Sequence, residues 1–260
     1  MKIATYDTNL TDAQWAYLQP MLPKPAKRGR PPKDRRRLIE AILYLVKCGC
    51  PWRYLPSDFP NWKTVYHVFR QWVKNHQWAA LHDALRVLVR RSQGKRSRPT
   101  AAILDSQSVK SAGHGGPVGY DAAKQIKGRK RHLLVDTLGL ILGVAVTPAS
   151  TPERDGAKRL LSGVLGWFTW LRILWVDGGY TGATFAQWVK TLRPKLAVTV
   201  VKRADTAKGF KLLARRWIVE RTFGWLMHQR RLVRDYETTE ASAVAWIHIA
   251  MIRIQLRRLA

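Results

Sequence analysis

The chain has 260 residues, 46% of them hydrophobic and 12 of them tryptophan, so it can build one large core or two small ones and is not a disordered chain. Its 46 Lys and Arg against 17 Asp and Glu leave a formal net charge of +29. A fold does not need that excess but a polyanionic partner does; nucleic acid suits it better than a ribosome-like or membrane-surface role.

In chain order, Thr11-Asp12-Ala13-Gln14 reads as a capping box that opens a helix with Trp15, Leu18 and Leu22 inward. The stretch PKPAKRGRPPKDRRR then breaks the helix. Its core, Arg28-Gly29-Arg30-Pro31-Pro32, resembles an AT-hook, in which Arg28 and Arg30 enter a narrow minor groove; a solvated basic linker is the alternative. Residues 38–49 form an apolar helix stopped by Gly49 and Pro51. Cys48 and Cys50 stand too close for an ordinary disulfide, and no Cys/His set has zinc-finger spacing. Residues 61–78 are helical again, with Val65, Phe69, Trp72 and Val73 inward. Lys63, His67, Arg70 and Lys74, spaced by four, three and four, share the outer face. Helix, turn and basic-faced helix fit a helix-turn-helix reader of DNA. A further helix covers 78–91, and the basic linker RSQGKRSRPT marks a boundary between an all-α domain, 1–95, and a second domain, 96–260.

Both parts are basic: residues 1–95 hold 18 basic and 6 acidic residues, residues 96–260 hold 28 and 11. After the linker the texture changes. AAILD, 101–105, reads as a strand ending in Asp105, and a glycine-rich basic loop follows to residue 131. RHLLVD and LILGVAVT read as a hairpin around Thr137-Leu138-Gly139. A helix over 151–165, a buried strand 171–177 ending in Asp177, a helix 184–192, a strand 195–201, a helix 211–229 and a last helix from about 239 to 258 complete the chain. The expected fold is α/β, a mixed sheet flanked by helices. Neither a signal peptide nor a membrane span is expected, and the location is expected to be cytoplasmic.

Asp105 and Asp177 both close apolar strand runs and are followed by SQS and GGY. If their strands are neighbours, the two carboxylates lie side by side and repel unless a cation sits between them; a divalent metal is the usual solution. Each Asp alone would also suit a turn or helix cap. Between Thr206 and Arg234 there are eight Lys and Arg and a single acid, Glu220. At 100° per residue Glu220 falls opposite the clearest polar stripe of its helix, so it is expected to face the sheet. A metal-ligand role and an ion pair with Arg216 or Arg221 both remain open for it.

Six stretches carry a resemblance over nearly the whole chain: LTDAQWAYLQPMLP, the long run from RGRPPKDRRR to VFRQW, ILDSQSVK, GRKRHLLVDTLGL, WVDGGYTG and RRWIVERTFGWL. In this order they resemble the DDE transposases of bacterial insertion sequences, of the insertion sequence 5 family. The resemblance implies a helical DNA-binding domain and a ribonuclease H-like catalytic domain, with Asp105, Asp177 and Glu220 as the acidic triad and two Mg²⁺ or Mn²⁺ ions as cofactors. The gap of 43 residues from Asp177 to Glu220 leaves no room for a large insertion domain. The related Y-x2-R-x3-E-x6-K signature is met at Arg216 and Glu220, but its Tyr and Lys positions hold Leu213 and Met227; Arg230 or Arg231 is the candidate replacement for the Lys.

The implied activity is cleavage at terminal inverted repeats followed by joining of the freed 3′-OH ends to target DNA. Arg216, Arg221, Lys124, Lys127, Arg129, Lys130 and Arg131 are expected to hold phosphates, and Tyr120, Tyr180 and Trp225 to offer rings to unpaired bases. A homodimer on double-stranded DNA, associated with the bacterial nucleoid, is the expected assembly. An inactive transposase-derived DNA-binding protein and a nuclease without strand transfer are the alternatives.

Overall fold

A computed structural model describes residues 6–23, 34–113, 116–201 and 215–260. The Arg28–Arg30 segment and Leu213 lie outside the described residues. The helices are α1 (Asp12–Leu18), α2 (Arg35–Cys48), α3 (Trp62–Lys74), α4 (Gln77–Ser92), α5 (Glu153–Val164), α6 (Ala183–Leu192), α7 (Trp217–Met227), α8 (Arg230–Val233) and α9 (Glu240–Leu259). The strands are β1 (Ala101–Lys110), β2 (Gly119–Asp121), β3 (Ile126–Asp136), β4 (Ile141–Pro148), β5 (Ile173–Val176) and β6 (Ala197–Val200). Among the described residues no helix is long and apolar enough to cross a membrane. The chain divides into two compact units, one of Met1–Gln93, Leu226–Val233 and Ala241–Ala260, the other of Gly94–Trp225 and Arg234–Glu240.

The first unit is helical. The capping box forms as expected: Gln14 N donates to Thr11 Oγ1 at 3.1 Å, and Thr11 N donates to Gln14 Oε1 at 3.2 Å. Asp34 caps α2 by accepting from the backbone of Arg36 and Arg37. The amphipathic reading of α3 also holds, with Val65 and Phe69 buried and Lys63, His67, Arg70 and Lys74 exposed. Phe69 stacks on the fully buried Trp246 of α9 with centroids 4.7 Å apart, and Trp52 lies 5.6 Å from the same ring. Aromatic pairs of this kind add about 0.5–1.5 kcal/mol beyond the area they bury.

The second unit is a six-stranded mixed sheet among the described residues, ordered β2-β3-β1-β5-β6, with β4 also paired to β3. β1 runs antiparallel to β3 and parallel to β5, and β5 runs parallel to β6. β3 is therefore an interior strand. Ala102 and Leu104 of β1 and Leu174 and Val176 of β5 pack into one core with Leu160 and Leu161 of α5 and Phe185 of α6. Side chains alternate across a strand, so Asp105 projects from the opposite face, and Asp177 directly follows the end of β5.

Three expectations need correction. β1 does not stop at Asp105 but continues to Lys110, because Ser106–Lys110 pair with 128–132 of β3. The glycine-rich loop contains β2, a three-residue strand that pairs with the start of β3. Of the helix read over 211–229, residues 211–214 lie outside the described residues, and from 215 onward the helix is observed over Trp217–Met227, with its buried face set by Ile218, Val219, Thr222, Phe223 and Leu226.

Candidate active site

The sheet brings the first two acids together. The β1–β5 ladder ends at the pair Ile103↔Trp175, and Asp105 and Asp177 each stand two residues further on. Asp105 is buried and takes a 2.7 Å bond from the Ser106 backbone N–H. Burial, followed by repulsion from Asp177, pushes its carboxyl up to about 6, against the opposing effects of the Ser106 bond and the Arg216 charge. Asp177 caps the turn that follows β5, its Oδ1 accepting from Gly179 N at 2.9 Å.

Glu220 is exposed, not turned into the sheet. Thr222 is fully buried, and its hydroxyl oxygen lies 2.9 Å from Gly139 O and 3.0 Å from Ile218 O, which share its one proton. That anchor rotates Glu220 to the rim. It remains connected to the other acids through Arg216, whose Nη2 lies 3.6 Å from Asp177 Oδ2 and whose Nε lies 3.5 Å from Glu220 Oε1. Arg216 thus spans two of the three predicted acids. The ion-pair reading of Glu220 is realised in the structure, and a metal role is compatible with it.

The donor chemistry suits a hard divalent cation: three carboxylates, one of them buried beside a like charge and only partly compensated. Among the described residues, no three His, Cys, Asp or Glu side chains already stand grouped to hold a metal ion. Asp105, Asp177 and Glu220 are oxygen donors of the type such an ion takes, and Arg216 stands between the last two of them.

The expected phosphate-binding residues separate into two classes. Lys124 and Lys127 are at the surface. Arg129, Lys130 and Arg131 are not: all three are buried in β3, Arg129 paired with Asp235 at 3.5 Å and Lys130 with Asp121 at 3.3 Å. From Gly128 onward β3 is buried on both faces of the sheet, so neither parity reaches solvent there. Arg221 lies between the rings of Trp217 and Trp225, 4.5 Å from each, and bonds Leu138 O at 3.2 Å. In the helical unit Arg230 is exposed, whereas Arg231 is buried against Trp246 at 4.5 Å and bonds Cys50 O. Tyr120 is exposed, but Tyr180 is buried and cannot offer its ring to a base. Burial, and then the nearby Asp105, Glu153 and Asp177, push its phenol far above its ordinary range, so it stays protonated.

Sequence reasoning overlooked three residues here. Glu153 and Arg154 border the two aspartates, and Arg215 precedes the Arg216 that pairs with Asp177 and Glu220. Arg215 adopts φ 71°, an uncommon conformation for a side-chain-bearing residue, and its guanidinium covers the Trp175 ring at 4.3 Å. Glu153 stands in the first turn of α5, where an acid ordinarily serves the helix N-terminus.

Comparison with known proteins identifies the family of the chain. Residues 96–254, more than half of the chain, match the family described as Transposase DDE domain, and residues 10–82 match a transposase family of the IS4/5 group. The insertion element IS402 uncharacterized 16.2 kDa protein of Burkholderia cepacia is 31% identical over 118 residues, which cover 42% of this chain and 78% of that relative. The uncharacterized protein y4sN of Sinorhizobium fredii (strain NBRC 101917 / NGR234) is 29% identical over 82 residues, 31% of this chain and 63% of that relative. With paired strand-borne aspartates inside the matched region, the chain belongs to the DDE transposases of the IS4/5 type.

Proposed function

We propose that this transposase binds the terminal inverted repeats of an insertion sequence, cleaves the element ends by metal-dependent phosphodiester hydrolysis and joins the 3′-OH ends to target DNA. The observation that carries the reading is the placement of Asp105 on β1 and of Asp177 just past the end of the neighbouring parallel β5, with Glu220 joined to Asp177 through Arg216. Asp105, Asp177 and Glu220 would hold two Mg²⁺ or Mn²⁺ ions, which when bound supply Lewis-acid activation of water and of the leaving oxygen. The same three carboxylates serve both reactions. Hydrolysis at the element end frees a 3′-OH, and that hydroxyl then attacks a target phosphodiester in the same site. No covalent protein–DNA link is needed.

The remaining residues bind and orient. Arg216 neutralises the acids in the free protein and turns to a DNA phosphate when the site is loaded. Lys124 and Lys127 hold phosphates beside it. Residues 1–95 form the DNA-binding domain, in which the exposed Lys63, His67, Arg70 and Lys74 of α3 follow the backbone and Arg28 and Arg30 reach a minor groove; residues 96–260 carry the chemistry. Arg230 supplies the cation missing at Met227. Two ends must be processed together, which calls for a homodimer on DNA.

The test is cleavage of duplex DNA carrying the inverted repeat that borders the coding sequence, with Mg²⁺. Asp105→Ala, Asp177→Ala and Glu220→Ala each abolish nicking while retaining DNA binding. Wild-type nicking by Asp177→Ala would sink the model. Binding without nicking by the unaltered protein favours an inactive DNA-binding descendant. Nicking without joining of pre-cleaved ends to a plasmid favours a nuclease.

A further inference from the structure

Glu153 opens α5, the helix packed on the core face of the sheet, and its carboxylate reaches the residue beside Asp105. Its Oε1 accepts from Ser106 Oγ at 2.9 Å and from Lys124 Nζ at 3.0 Å. Ser106 is the immediate neighbour of Asp105 and, by strand alternation, points to the α5 side while Asp105 points away. The other carboxylate oxygen, Oε2, faces the turn after β5. A Cβ placed on Gly179 would lie 3.0 Å from Glu153 Oε2 and 3.1 Å from Asp177 Oδ1. The Cα of Gly179 is thus flanked by both carboxylates, and a side chain there would push one of them out. The next residue, Arg154, bonds the far side of the same turn, its Nε donating to Gly179 O at 2.9 Å. The first two residues of α5 therefore brace both strand ends that carry the aspartates.

We infer that Glu153 is a positioning residue of this site: through Ser106 it fixes Asp105, and through Lys124 it holds an ammonium group at the rim, where that group meets a DNA phosphate. The inference rests on the proposed function for its chemistry, but the placement is independent of it. Lys124 belongs to the segment between β2 and β3, which has no helix or strand of its own to hold it near the acids. The Glu153 carboxylate supplies that hold. Burial works against the charge of Glu153, yet the bonds from Lys124 and Ser106 prevail and keep its carboxyl below the ordinary range. Phosphate arriving at Lys124 does not need to displace Glu153, because an ammonium has three donors.

The experiment uses the full chain, duplex DNA with the bordering inverted repeat, and Mg²⁺. Glu153→Gln keeps the shape and removes the charge. We expect turnover to fall about 10–100-fold with little change in KM for DNA, the loss typical of residues that orient metal-binding groups. Glu153→Asp recovers part of the loss. Lys124→Ala weakens DNA binding, and its log-affinity against log-salt slope falls by about 0.9, the value for one phosphate contact. The double variant is no slower than the slower single one, because both act through one contact. Wild-type turnover of Glu153→Gln, or losses that simply multiply in the double variant, overturns the inference. If Glu153→Gln does not fold, Ser106→Ala and Lys124→Met make the same comparison. If the unaltered protein does not cleave, the proposed function fails and the salt slope still decides: an unchanged slope in Lys124→Ala overturns the placement of Lys124.

Discussion

Two basic stretches of this chain look alike on paper and behave differently. Lys63, His67, Arg70 and Lys74 all lie on the outer face of α3 and are exposed. Lys127, Arg129, Lys130 and Arg131 lie along β3, and only Lys127 is exposed. The cause is periodicity. Spacings of four, three and four select one side of a helix, whose other side holds Val65 and Phe69. Residues 128–136 of β3 are buried on both faces of the sheet, so the cations among them are buried and need partners. Part of the +29 charge is therefore structural. A count of Lys and Arg overstates the surface available to DNA.

The comparison can be broken at its strongest point, Asp235. This buried carboxylate is the partner of Arg129, and Asp235→Ala leaves the guanidinium without it. A loss of about 3–5 kcal/mol is expected on denaturant unfolding. If stability is unchanged, Arg129 is not a structural cation. The next effect is that of pH. Burial lowers the imidazole of His132 from 6.5 to about 4 in the sheet unit, and burial followed by His82 lowers His248 to about 3 in the helical unit. Both are neutral when folded, while the unfolded chain takes up their protons near 6.5. Stability is then full above about pH 6.5 and falls below it, by up to about 1.4 kcal/mol per pH unit for each group, until about pH 4 for His132 and about pH 3 for His248. His132→Gln removes the dependence in the sheet unit only, as thermal melts between pH 4 and 7 will show.

A smaller effect is expected from Gly156→Ala. A Cβ there would come within 2.0 Å of His132 Nε2, which also bonds Thr147 Oγ1 at 3.0 Å. Displacing the ring costs about 1–3 kcal/mol on the usual scale of overpacking. The smallest change in stability belongs to α3. Lys63→Ala and Arg70→Ala each stay within about 0.5 kcal/mol of the parent, as exposed substitutions do. Each lowers the salt slope of DNA binding by about 0.9. A large stability loss in either would move α3 into the class of β3.

Much of this could be read before any coordinates. The Thr11–Gln14 box, the hairpin at 137–139 and the faces of α3 depend on local chemistry, and each is observed. The adjacency of Asp105 and Asp177 was conditional on strand order, which one sequence does not state. β2 was hidden because three residues in a glycine-rich stretch carry no period. The continuation of β1 was hidden because Ser106 and Ser108 are buried by partners distant in the chain: Ser106 bonds Glu153, and Ser108 bonds Asp121 at 2.5 Å. The orientation of Glu220 failed for a similar reason. Its helix is short, and one hydroxyl bond from Thr222 to the β3–β4 turn outweighs the apolar average.

The β1–β5 ladder has one more consequence. Asp105 and Asp177 are each the second residue past a shared backbone pair, so their spacing is set by main-chain register and not by side-chain choice. Residues 101–105 and 173–177 act as two rulers of equal length. Substitutions that keep the rulers intact leave the acids in phase. Deleting one residue from either ruler turns its carboxylate to the other side of the sheet. In these ten positions the chain tolerates changes of letter far better than changes of count.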